Sequence, residues 1–127
     1  MTAPRIRLAG TPEGFDAVLL AEERRRQQAP LLHVTRDDAR MARLAEALAF
    51  FAPGVPVLQF PAWDCLPYDR VGPNAEITAR RVATLARLAD GGAERAIILT
   101  TVNALSQKVP PPETFRGASL TLARGKR

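Results

Sequence analysis

The feature that most constrains this chain is an alternation. Short apolar runs of strand length take turns with longer stretches whose apolar residues recur every three to four positions, and proline or glycine stands at most of the joints. The runs are residues 31–35 (Leu-Leu-His-Val-Thr), 55–60 (Val-Pro-Val-Leu-Gln-Phe) and 96–100 (Ala-Ile-Ile-Leu-Thr). Residues 5–8 and 119–122 alternate polar with apolar and predict two further strands, one at each end. Between them lie helical segments. Phe15, Val18 and Leu19 share one face of the first, Glu22 to Arg26 carry it into solvent, and Pro30 breaks it. Asp37 or Asp38 caps the second, where Met41, Leu44, Ala45, Leu48 and Phe51 or Ala52 repeat at helical spacing until Pro53-Gly54. Asn74 caps the third, with Ile77, Val82, Leu85 and Leu88 or Ala89 as its apolar stripe and Gly91-Gly92 at its end. A short helix over 102–108 stops before Pro110, Pro111 and Pro112.

Apolar strands alternating with amphipathic helices predict an α/β fold of three layers, a mostly parallel sheet covered on both faces. Right-handed crossovers then make it doubly wound. A chain of 127 residues, 46% of them hydrophobic, is one domain's worth and can bury a core. The whole chain, 1–127, reads as a single domain. Its basic tail over 124–127 reads as a linker into a next domain, so the chain is expected to be a piece of a longer protein.

Several function classes fall away at this level. No apolar run is long enough to span a membrane, and the first residues lack the apolar core of a secretion signal, so the cytoplasm is the expected location. One cysteine, Cys65, and one histidine, His33, cannot form a disulfide or a zinc site, and His33 sits in a predicted strand rather than beside a nucleophile. The net charge of +5 permits nucleic-acid binding. However, the seven aromatics (five Phe, one Trp, one Tyr) do not interleave with basic residues as a base-stacking platform would require.

The loop between the first predicted strand and the first helix is where such folds hold phosphate. A working phosphate loop needs G-x-x-x-x-G-K-[ST]. Here Gly10 stands at the first glycine, and the spacing puts Phe15 at the second, Asp16 at the lysine and Ala17 at the hydroxyl. Phenylalanine crowds the loop, and aspartate repels the ligand. Two like charges about 4 Å apart cost about 4 kcal/mol at an effective dielectric of about 20. The loop therefore reads as a degenerate phosphate loop without bound nucleotide. Two rival classes remain: a small nucleotide-binding or nucleotide-hydrolysing α/β domain using the Gly10 loop, and a stand-alone basic nucleic-acid-binding domain.

The remaining feature is Phe60-Pro61-Ala62-Trp63-Asp64-Cys65-Leu66-Pro67-Tyr68-Asp69-Arg70, which holds the chain's only Trp and Tyr. It reads either as a segment packed over the end of the sheet, with Trp63 and Tyr68 buried, or as a partner surface. It closely resembles the FPxWExLPYD signature of bacterial transcription-repair coupling factors (Mfd). The resemblance continues through Pro73-Asn74-Ala75-Glu76-Ile77, through Arg80-Arg81-Val82-Ala83-Thr84-Leu85, and through residues 97–110, which include Asn103-Ala104-Leu105-Ser106-Gln107-Lys108-Val109-Pro110.

The resemblance implies that the chain is the first domain of a module similar to the repair protein UvrB, with a helicase-like fold that has lost its phosphate loop. By the same resemblance it would be a non-catalytic scaffold without a cofactor of its own; ATP and magnesium belong to a motor further along the parent. Its partners would be neighbouring domains, UvrA through the following domain, and RNA polymerase and double-stranded DNA through distant parts. Phe60, Trp63, Leu66, Pro67, Tyr68, Asp69, Arg80 and Arg81 are the motif residues expected to pack or to meet a partner. Only Val71-Gly72-Pro73 separates Arg70 from the next helix cap, so the long DNA-probing hairpin of UvrB is not expected here.

Overall fold

A computed structural model describes residues 4–66 and 68–118. Its elements are α1 (Phe15–Arg26), β1 (Leu31–Thr35), α2 (Asp38–Phe51), β2 (Val57–Phe60), α3 (Ala75–Ala89), β3 (Ile97–Thr101), α4 (Val102–Ser106) and a 3-10 turn over Pro112–Thr114. The caps fall where the sequence puts them. The Asp37 carboxylate accepts from the Arg40 N–H, and the Asn74 side chain accepts from the Glu76 N–H. Each oxygen answers an amide that the helix leaves without a partner. Thr101 closes β3 and opens α4 in the same way, its hydroxyl accepting from the Ala104 N–H.

The sheet is wholly parallel and ordered β1-β3-β2. Leu31 to Thr35 pair with Ile97 to Thr101, and Val57 to Phe60 pair with Ile97 to Thr100. The path from β1 to β2 skips a place, and the path from β2 to β3 returns to fill it. Right-handed crossovers running in opposite directions put their helices on opposite faces. Accordingly α2, with α1 beside it, covers one face, and α3 packs on β2 from the other.

The main core lies under α1 and α2. Ile97, Leu99 and Leu48 are fully buried there with Met41, Leu44, Ala17 and Ala21. A smaller cluster of Phe60, Ala62 and Ala104, with Leu85 against it, sits on the α3 side.

The structure corrects four expectations. Residues 5–8 form no strand, and Ile6 and Leu8 stay exposed, so the parallel sheet has three strands among the described residues. The candidate strand over 119–122 and the tail over 124–127 lie outside them. In α1 the buried face is Ala17, Ala21 and Arg24, while Phe15, Val18 and Leu19 are each over a third exposed. Small side chains let α1 lie close on α2, so closeness rather than hydrophobic bulk selects the face. In α3 the buried residues are Arg81, Thr84 and Ala86; Val82 is exposed, and Leu88, also exposed, lines a groove against the sheet. Finally, among the described residues β1 stands at the edge of the sheet, with Leu32 and Val34 exposed rather than buried.

Leu99 has no exposed surface and stands on the central strand. Leu99→Ala is expected to lower unfolding free energy by about 2–5 kcal/mol, read as a reduced urea midpoint with an unchanged slope.

Candidate functional site

Two sites lie at the C-terminal ends of the strands, the edge at which open α/β sheets bind ligands. The first is a polar cavity of about 510 Å³ between the loop before α1, the end of β1 and the first turns of α2. Gly10 takes a left-handed φ of 70°, and so does Gly14, φ 88°, which caps α1 without a side-chain bond. Ala17, on α1, is fully buried in the core it shares with α2, and Phe15 is partly exposed.

Asp16 points into the cavity and is paired. Its carboxylate accepts from Arg40 Nη2 at 2.9 Å. Glu13 accepts from Arg40 Nη1 at 2.7 Å and from Arg43 Nε at 2.8 Å. The arginines that could receive an anion thus hold the chain's own carboxylates. The Arg43 hydrogen bond first, then the charges of Arg43 and Arg40, pull the Glu13 pKa down. The Arg40 amide, and after it the Arg36 side chain, lower that of Asp37. His33 lies 3.9 Å from Asp16; burial lowers its pKa and Asp16 opposes the shift.

The second site is the aromatic segment after β2. Its centre is Arg81, from the middle of α3, only 2% exposed. The guanidinium carbon lies 4.1 Å from the centroid of the Phe60 ring and 4.3 Å from that of the Trp63 ring. Arg81 Nη1 donates to the Pro61 carbonyl at 2.6 Å and to Gln107 Oε1 at 3.1 Å. The same Gln107 oxygen accepts from the Trp63 N–H at 3.0 Å. Burial lowers the Arg81 pKa, but a guanidinium stays protonated inside proteins. A planar cation suits this position because its faces stack on rings while its edge donates.

The motif residues therefore divide. Phe60, Trp63 and Arg81 come together. Arg80 faces out and pairs with Glu76 at 2.6 Å. Leu66 and Asp69 are exposed, and Pro67 lies outside the described residues. Tyr68 contradicts the expectation of burial: it is fully exposed, with φ 71°. The Asp69 N–H donates to the Leu66 carbonyl at 3.1 Å, and the left-handed backbone at Tyr68 turns its side chain to solvent. Sequence reasoning missed Arg40, Glu13 and Gln107 as site residues. Arg40 stands three places after the Asp37 cap, hence in the first turn facing the loop, a spacing that could have signalled it. Gln107 falls in the Asn103–Pro110 run that resembles the family motif, which is the one signal that could have found it.

Known proteins can be set beside this geometry. No protein-family model matches the chain. It is 34% identical over 128 aligned residues to the transcription-repair-coupling factor of Myxococcus xanthus, covering 96% of this chain and 11% of that protein. Identity is 31% over 114 residues to the factor of Haemophilus influenzae (90% and 10%) and 30% over 111 residues to that of Escherichia coli (87% and 9%). The chain thus spans about a tenth of the length of the curated relatives it matches.

Two outcomes are expected. Arg81→Ala removes two ring contacts and two hydrogen bonds and should destabilise the chain by on the order of 3 kcal/mol, whereas Tyr68→Ala should change unfolding by less than about 0.5 kcal/mol; paired denaturation curves measure both. For His33, the folded pKa lies below the unfolded value of about 6.5. The unfolded chain then binds the proton first, so the stability held by neutral His33 is complete above that value and falls as pH drops through the folded pKa. Melts at pH 7.5 and 5.5, above the carboxylate range, should show a loss at the lower pH that His33→Gln reduces.

Proposed function

Because this chain belongs with the transcription-repair-coupling factors over the tenth of their length that it spans, we propose that it is a non-catalytic scaffold within such a protein. The parent displaces stalled RNA polymerase at DNA lesions, using an ATP- and magnesium-dependent motor elsewhere in its chain, and recruits the excision-repair protein UvrA. This domain supports the neighbouring UvrA-binding domain and helps hold the resting protein closed. It works in the cytoplasm. Among the described residues no helix is long and apolar enough to cross a membrane.

The observation that carries the non-catalytic reading is the state of the ligand position. Asp16 and Glu13 are paired there with Arg40 and Arg43 at 2.7 to 2.9 Å. A nucleotide would have to break those pairs and bring its phosphates against two carboxylates, with no lysine to receive them. A further observation supports the scaffold role. An apolar groove of about 310 Å³ crosses the sheet face beside α3, lined by Leu32, Leu85, Leu88, Ile98, Leu105 and Val109. Leu32 and Leu105 in it are more than half exposed. Contiguous apolar surface of this kind marks contact with another protein element.

Calorimetric titration of the chain with Mg-ATP at millimolar concentration tests the reading. No saturable heat is expected. Micromolar binding, lost in Arg40→Ala, would replace the scaffold by a nucleotide-binding domain.

A further inference from the structure

The opposite end of the sheet carries an unanswered charge. Arg24, in the last turn of α1, is only 3% exposed. Its Nη1 donates to the Ala29 carbonyl at 2.6 Å. Its Nε and Nη2 are buried and have no hydrogen-bond partner among the described residues. Glu22, on the same helix, is engaged elsewhere, with Arg25 at 3.1 Å and Arg26 at 3.3 Å. A buried guanidinium facing one carbonyl is a costly arrangement without an anion nearby.

A cavity of about 220 Å³ opens beside it, at the N-terminal ends of β2 and β3. Ala21, Ala52, Pro53 and Val55 form an apolar lining. Arg25 and Arg95 join Arg24 around it, and no acidic residue lines it. Arg95 is exposed and holds a left-handed φ of 60°, a conformation that a β-carbon disfavours. The only non-glycine residues in that region among those described are Arg95 and Tyr68.

From these observations we propose that this cavity docks an acidic peptide segment of a partner protein, seating a glutamate-type side chain. The carboxylate meets Arg25 and Arg95 at the exposed rim, which bind oxyanions with paired N–H donors; its methylenes lie on the apolar lining, and its charge offsets that of Arg24 buried beneath. That lining separates the two sources of an oxyanion. A carboxylate on an aliphatic stem uses both parts of the cavity, whereas a DNA phosphate brings charge without an apolar stem. The site is distinct from the Glu13–Asp16–Arg40 cavity, at the other edge of the sheet, and does not depend on the role proposed above.

The test is an NMR titration of the 15N-labelled chain with a capped peptide of alternating glutamate and leucine, with its glutamine counterpart, and with a short DNA duplex. Saturable shifts are expected at the amides of Arg24, Ala52 and Arg95 with the glutamate peptide, and affinity at least about tenfold weaker for the glutamine peptide, as the loss of charge-assisted hydrogen bonds implies. Arg95→Gly removes a rim charge and relieves the backbone, so it should weaken the glutamate peptide severalfold while leaving the melting temperature equal or higher. Equal binding of the two peptides, unchanged binding by Arg95→Gly, the absence of saturable shifts, or stronger seating of the duplex at these same amides would each overturn the proposal.

Discussion

A buried arginine ties the second half of this domain together. Arg81 lies between the rings of Phe60 and Trp63 and donates to the Pro61 carbonyl and to Gln107. Those contacts join four parts of the chain: the middle of α3, the end of β2, the aromatic segment after it and the residue that follows α4. Each stack contributes about 0.5–2 kcal/mol. Removing the cation would also leave the Pro61 carbonyl without this donor. The cost side is real, since burying a charge is expensive and Arg81 Nε has no partner among the described residues. The arrangement favours one conformation of an irregular, proline-rich segment that has no regular backbone ladder to fix it.

The edge of the sheet beside α1 and α2 is organised by opposite means. In the cavity between the loop before α1 and the first turns of α2, the chain pairs its cations internally. Arg40 bridges Glu13 and Asp16, and Arg43 adds a second contact to Glu13. The Glu13 end of these pairs is exposed and the Arg40–Asp16 pair only partly so, so the Glu13 contacts add only modestly to stability. Their larger consequence is chemical, because they make the cavity self-neutralising. Their sequence separation, with the acids at the start of α1 and the arginines on α2, makes them tertiary contacts between the two helices that cover one face.

The apolar groove over Leu32, Ile98 and Leu105 leaves the sheet incompletely enclosed. One sheet face is sealed by α1 and α2, where the small Ala17 and Ala21 permit close approach. The other is covered over β2 by α3 but left open toward β1, where Leu32 and Val34 stand exposed. Among the described residues the sheet has three strands and one open flank, which suits a domain of a larger protein, in keeping with relatives about ten times its length.

By itself the sequence determined the order and type of the central elements. The apolar runs of β1, β2 and β3 and the caps at Asp37 and Asn74 are local signals, and local backbone chemistry acts on them in the same way in any fold. The motif around Trp63 determined the family in the same fashion. The sequence did not determine which faces are buried. Val82 and Leu19 have the right spacing for a core stripe, yet the tertiary structure turns Arg81, Thr84 and Arg24 inward instead. Residues 5–8 alternate as a strand does and remain outside the sheet, because alternation specifies a strand only where a partner edge receives it. The pairing of Asp16 with Arg40, 24 residues away, and of Arg81 with Gln107, 26 residues away, is settled only when the crossovers bring those helices and loops to a common edge. Burial of an arginine depends on what surrounds it in space, and one-dimensional spacing carries no information about that.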